Sequence, residues 1–126
     1  LAFLSNPKVI LLDEPFRGFD LNNRKKIVRI INRLKDKFLK TIVIYSSNPN
    51  YLYQYTNYLI VLYDNKVVAE GKTSDVFFDS DVFSLYKIRR PDIVDFILLV
   101  KDKKNVKLPR RIDVKDLIKD IYWNVK

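Results

Sequence analysis

"VILLDEPFRGFD" (Val9–Asp20) decides how this chain is read. An unbroken apolar run from Val9 to Leu12 drives into two adjacent carboxylates, Asp13 and Glu14, and then into a short turn-like loop. Apolar residues at both odd and even positions suit a strand buried on both faces of a parallel sheet. Acids at the carboxyl end of such a strand stand at the sheet edge where α/β folds hold ligands. The first acid can hold the water shell of Mg²⁺, and the second can orient or deprotonate a water attacking a phosphate. The bare pattern also has a plainer reading as a helix-capping loop, since apolar-then-acid occurs at many strand ends.

Working outward, Asp20 stands where a helix N-cap belongs. Ile27, Ile31, Leu34 and Phe38 then recur at i, i+4, i+7 and i+11, one stripe of a helix. "TIVIYS" (Thr41–Ser46) is a second buried-strand run, and the β-loop-α-β order implies a parallel pair with a crossover helix. A short helical stretch around "NYLYQY" (Asn50–Tyr55) precedes a third strand, Tyr58–Tyr63. Asp64 and Asn65 suit a tight turn, and Lys66–Gly71 is expected to return antiparallel. From Thr73 onward only helices are expected: Ser74–Tyr86, Pro91–Lys103 with proline at its first turn, and Val114–Trp123 capped by Asp113. The change of texture divides the chain into residues 1–72 and 73–126. No internal repeat or low-complexity tract is visible.

The 126 residues, 48% of them hydrophobic, suffice for one domain with a real core. The chain has no cysteine and no histidine, which excludes disulfides, thiolate or imidazole metal sites and every His-based triad. It also has no methionine, so residue 1 is not expected to be a natural start, and a longer protein is expected. The longest apolar run, Ile93–Val100, is too short to span a bilayer and contains Asp95, so any membrane role should be peripheral. The net charge of +9 raises a nucleic-acid reading. Its cations are spread over several segments and interleave with acids, which favours a solvated face over a nucleic-acid surface. Attraction to anionic lipid headgroups is a third reading of the same charge.

"NPKVILLDEPFRGFD" (Asn6–Asp20), "KTIVIYSSN" (Lys40–Asn48) and "NYLIVLYDNKVVAEGKTSDVF" (Asn57–Phe77) together resemble the ATPase subunit of an ABC transporter. The order is that of the Walker B strand, D-loop, helix, switch strand and closing hairpin. Ile88–Ile121, with its Pro-x-x-Val helix, Leu-Pro and final short helix, resembles the helical extension of the energy-coupling factor ATPases, importers of vitamins and transition metal ions. The resemblance implies an α/β fold: the C-terminal part of a P-loop NTPase parallel-sheet domain (residues 1–72), followed by a small helical extension (residues 73–126). It implies ATP and Mg²⁺ as ligands, with Asp13 supporting the metal and Glu14 polarising the attacking water. Asp20 matches the D-loop aspartate that reaches across a dimer interface, while Pro15 and Gly18 match loop-shaping positions. The implied partners are a second ABC ATPase subunit, in a homo- or heterodimer, and transmembrane coupling and substrate-binding subunits. The implied place is the cytoplasmic face of the membrane, with no nucleic acid involved.

Several departures from that pattern matter. Ser47 stands where the family's switch histidine contacts the γ-phosphate, leaving a neutral and shorter group as the candidate. Phe16 and Arg17 replace small D-loop residues and are expected to crowd the interface. The Gly-rich phosphate cradle and the Ser-Gly-Gly signature are absent, since the only glycines are Gly18 and Gly71. Leu1–Lys8 resembles the tail of the helix that follows the signature, so the remaining ATP contacts are expected upstream and the isolated chain is expected to be inactive. A degenerate subunit that binds nucleotide without hydrolysing it is the alternative within the fold. A basic nucleic-acid-binding module and an ABC-type DNA-maintenance ATPase are further alternatives. The Glu70-Gly71 hairpin end and the helical tail favour the transporter over the last of these.

Overall fold

The computed structural model describes residues 6–124, so the expectation for the first five residues lies outside the described residues. The chain divides into two compact units, Leu1–Ser47 and Asn48–Lys126.

In the first unit, β1 (Val9–Asp13) pairs in parallel with β2 (Thr41–Tyr45) through the crossover helix α1 (Leu21–Asp36). The register sets Ile10 beside Ile42 and Asp13 beside Tyr45. Asp20 caps α1 as expected: its carboxylate accepts the Asn23 N–H at 2.8 Å. Losing such a cap costs about 1 kcal/mol. Arg33 and Lys35 sit in the last turn, where positive charge complements the helix dipole.

Three expectations fail in this unit. Phe38 does not continue the α1 stripe: the helix ends at Asp36 with Lys37 as C-cap, and Leu39 takes a positive φ of 51°. Ile31 is buried, with Ile27 and Leu34 half-buried, while Phe38 is exposed. Nor is the sheet buried on both faces. Ile10 is 6% exposed, but Val9 and Leu11 are 57% and 70% exposed, and Val43 and Tyr45 are also exposed. The cause is a shortage of layers, because one helix can cover only one face of two strands. The expected interleaving of charge also fails on α1, whose six cations have only Asp36 beside them in the helix.

The second unit opens with α2 (Pro49–Tyr55), whose N-cap Asn48 accepts from the Asn50 N–H. β3 (Tyr58–Tyr63) and β4 (Lys66–Lys72) form an antiparallel hairpin with Tyr63 opposite Lys66. Asp64 and Asn65, at φ 49° and 58°, both adopt the left-handed conformation that a two-residue hairpin turn demands. α3 (Thr73–Asp79) and α4 (Val82–Leu85) are separate helices where one was expected, because Ser80 is extended, with ψ 134°. Arg90 ties this corner together. Its guanidinium donates to the carbonyls of Phe77 and Ser80 and lies 5.2 Å from the Phe83 ring centroid.

The texture change at Thr73 is not a break in packing. Tyr53, Leu59, Val61, Val76, Phe77, Phe83 and Val94 share one buried core, so hairpin and helices are held as one body. Tyr53 meets Phe77 edge-to-face at 5.9 Å, a geometry that suits opposed ring quadrupoles.

α5 (Asp92–Lys104) begins after Pro91, its N-cap rather than its first turn. Asn50 docks on that start: its Oδ1 accepts the Asp92 N–H at 2.9 Å and its Nδ2 donates to Asp92 Oδ2 at 3.0 Å. These bonds, Asn50 first and then Arg89, lower the Asp92 pKa. Asn105, at φ 52°, ends the helix. Leu108 then packs with Ile97 and Leu117 in a second small core that carries α6 (Val114–Asn124). Asp113 accepts the Lys115 N–H at 2.7 Å at the start of α6, as its expected capping role requires. Among the described residues no helix is long and apolar enough to cross a membrane.

Candidate active site at the carboxyl end of the first strand

The parallel register builds this site. Because Asp13 lies beside Tyr45, the next residues of both strands, Glu14 and Ser46–Ser47, emerge together at the sheet edge. The Glu14 N–H donates to the Tyr45 carbonyl at 2.8 Å, extending the pairing one step beyond Asp13. Glu14 then takes a positive φ of 44°, which costs an L-residue about 1–2 kcal/mol. Tight turns follow, with the Arg17 N–H on the Glu14 carbonyl at 3.1 Å and Gly18 at φ 76°. Glycine accepts that last conformation without strain.

The loop turns Phe16 inward. Phe16 is 2% exposed, because an apolar ring of this size is worth roughly 1.5–3 kcal/mol buried rather than solvated. Arg17 instead folds back, placing Nη2 3.4 Å from Glu14 Oε1.

Glu14 is the most closely held group of the site, with its side chain 15% exposed. Ser47 donates to Oε1 twice, from its backbone N–H and from its hydroxyl, each at 2.7 Å. Ser46 Oγ donates to Oε2 at 2.9 Å. The Ser47 hydroxyl and then its N–H hold the carboxyl below its ordinary pKa, against an opposing effect of burial and with help from Ser46 and Arg17. Glu14 is therefore an anion at neutral pH, able to accept a proton or orient a water.

Asp13 differs. It is exposed at the strand end, and among the described residues its carboxylate has no hydrogen-bond or ion-pair partner. An uncommitted carboxylate at a sheet edge fits a hard, hydrated cation. Among the described residues there is no group of three His, Cys, Asp or Glu side chains that could enclose a metal, so Mg²⁺ here would take its other oxygens from water and phosphate. Asp20 is committed locally to Asn23 as a cap.

Of the four residues singled out by sequence, Glu14 and Ser47 are thus in direct contact, Asp13 adjoins Glu14 along the chain, and Asp20 closes the loop at the start of α1. Ser46 was missed. Its signal was the parallel pairing itself, which sets a hydroxyl next to any residue following Asp13.

No protein-family model matches the chain. An energy-coupling factor transporter ATP-binding protein from Oenococcus oeni is 30% identical over 113 residues, 90% of this chain and 38% of that protein. One from Ligilactobacillus salivarius is 34% identical over 98 residues, 77% of this chain and 34% of its own length. One from Methanocaldococcus jannaschii is 31% identical over 100 residues, 79% of this chain and 36% of its own. The chain thus spans about a third of the length of these curated relatives. Among solved structures, the ADP conformation of an ATP-binding cassette of an ABC transporter matches with a TM-score of 0.55 and 26% identity. That match covers 70% of this chain and 36% of the other. Strand order, paired acids and these likenesses agree: the chain belongs with the ABC-type ATP-binding cassettes and resembles their energy-coupling factor branch.

Proposed function

We propose that this chain carries the hydrolytic edge of an ATPase subunit that couples ATP hydrolysis to import of a vitamin or a transition metal ion. The observation that carries the reading is the pair of acids at the β1 end, one carboxylate uncommitted and the other held as an oriented anion. Asp13 would hold the water shell of Mg²⁺ on the phosphates, where the cation offsets phosphate charge. Glu14 would orient the attacking water and receive its proton. Asp20, beyond capping α1, would face a second ATPase subunit.

Residues 1–72 would serve the ATPase domain and residues 73–126 its helical extension, which would help the two ATPases stay paired. The protein would work at the cytoplasmic face of the membrane, against transmembrane coupling and substrate-binding subunits. The phosphate cradle would come from sequence other than these residues, which have no Gly-rich loop.

A graft tests the reading. Residues 9–72 would replace the matching segment of the Oenococcus oeni protein, and ATP turnover would be compared with and without Glu14→Gln. The expected result is measurable hydrolysis that falls about 100-fold or more in the Gln variant. Turnover indifferent to Glu14→Gln overturns the assignment. A second reading, a subunit that binds nucleotide without hydrolysing it, draws on the neutral Ser47 at the switch position. It predicts nucleotide binding by the graft with no turnover at all.

A further inference from the structure

Ser47 matches the position of a group that touches the γ-phosphate in the resembling family, yet here both of its donors are spent on a protein side chain. Its N–H and Oγ both reach Glu14 Oε1 at 2.7 Å. Ser46, one residue earlier, reaches the other oxygen, Oε2, at 2.9 Å. A carboxylate has about four lone-pair sites, two on each oxygen. Oε1 accepts from both Ser47 donors, with the Arg17 guanidinium at 3.4 Å. Among the described residues Oε2 accepts from Ser46 alone, so one of its lone pairs is uncommitted.

We infer that Ser46 and Ser47 form a two-residue clamp that fixes the Glu14 carboxylate in one rotamer, with one side of Oε2 turned toward the reacting water. Both serines are positioning residues, acting through Glu14 rather than on substrate. The clamp also accounts for a backbone otherwise hard to explain. Glu14 sits at φ 44°, and a long side chain leaving the strand in that conformation is directed at the end of β2 instead of continuing the β1 alternation. Three donors from the two residues that follow β2 then hold it across 32 and 33 residues of chain. Hydroxyl and backbone donors supply the orientation, with no imidazole anywhere in the sequence.

The consequence for turnover rests on the ATPase reading; the geometry does not. The first measurement therefore uses the 126-residue chain without nucleotide. Three-bond couplings from the backbone to Glu14 Cγ report its χ1 populations by NMR. The wild-type chain should show one rotamer, and Ser46→Ala with Ser47→Ala should move the couplings toward the average of several. Ser47→Thr, which keeps the hydroxyl, should retain the single rotamer. Amide shifts along β1 and β2 report folding, and should the double variant unfold, each single variant carries the same reading. Averaged couplings in the wild type, or unchanged couplings in a folded double variant, overturn the clamp.

In the graft described above, Ser46→Ala should lower kcat by up to about 100-fold at unchanged KM, the signature of a misplaced reacting group, with Ser46→Thr recovering it. If the wild-type graft does not hydrolyse ATP while the couplings show one rotamer, the ATPase reading falls and the clamp stands. If it hydrolyses ATP and Ser46→Ala changes nothing, the positioning role falls.

Discussion

The Tyr53 hydroxyl donates to the Arg111 carbonyl oxygen at 3.1 Å, joining α2 to the segment before α6 across 58 residues of chain. Tyr53 is a member of the main core of its unit, so this bond links that core to the tail. The bond is part-buried, so it is worth about 0.5–1.5 kcal/mol, the usual net value of a protein hydrogen bond.

Tyr53→Phe keeps the ring packing against Phe77 and Phe78 and deletes only the hydroxyl. Chemical denaturation should show a loss of about 1 kcal/mol. The same residue sets an alkaline limit. Burial raises the Tyr53 pKa, with the Arg110 charge opposing in part. A raised folded value means the folded state holds the proton more tightly, so this stability is full below the ordinary tyrosine value of about 10 and is lost as pH climbs through the folded one. The Phe variant should lack that alkaline loss in a pH series of melting curves.

Leu108→Ala should loosen α6 selectively. Leu108 shares its small core only with Ile97 and Leu117 among fully buried residues, so the cavity opens between α5 and α6. A loss of about 2–5 kcal/mol is expected for such a truncation. Hydrogen exchange should accelerate in α6 well before β3 and β4, whose buried residues belong to the other cluster.

Glu14 governs the acid side of the first unit. Its folded pKa lies below the ordinary 4.5, chiefly through Ser47. A depressed carboxylate stabilises the fold above its unfolded pKa, and that contribution disappears as pH falls through the folded value. Glu14→Gln should therefore flatten the acid limb of the stability profile below about pH 4.5, read by circular dichroism against pH. An acid limb identical to wild type would count against the Ser47 bonds.

Pairing of subunits should be tested by point charges on α6 rather than by truncation. Cutting the chain near Ser80 would remove Phe83 and Val94, both members of the main core, and would unfold the hairpin with them. Ile118 and Trp123, by contrast, are 59% and 74% exposed. Ile118→Asp with Trp123→Asp should leave the melting temperature nearly unchanged, since surface substitutions usually cost within about 0.5 kcal/mol. On the ATPase reading proposed above, the same pair should weaken subunit pairing in sedimentation without nucleotide. Unaltered sedimentation would assign these side chains no part in pairing.

What could be read from sequence was local and chemical. Asp20 followed by an amphipathic run announces a capped helix, and Asp64–Asn65 between two strand-like runs announces a left-handed turn, because each depends on only a few neighbouring atoms. The carboxyl-end placement of Asp13 and Glu14 was equally legible from the apolar run before them. The misreadings all involve something the local pattern does not hold. Val9 and Leu11 look buried because their side chains suit two covered faces, whereas the cover on one face is missing among the described residues. Phe38 keeps helical spacing past the point where Leu39 turns left-handed. Ser46 is unremarkable until the β1–β2 register carries it to Glu14. The break at Ser80 lies inside a run whose apolar spacing suits a continuous helix, and Arg90, bonding to the carbonyls of Phe77 and Ser80, comes ten residues later.

The bare face of the β1–β2 pair has a practical consequence. Among the described residues, two short sheets of two strands each leave rows of backbone donors and acceptors along their outer edges. Beside one row stand Val9, Leu11, Val43 and Tyr45, a patch that water solvates poorly and another strand would cover well. Expressed alone at high concentration, this polypeptide should behave as a seed for its own precipitation, its charge of +9 slowing the process in dilute buffer and failing to do so in salt. Light scattering that rises with ionic strength would mark that face as the sticky one, and Leu11→Lys should abolish the rise.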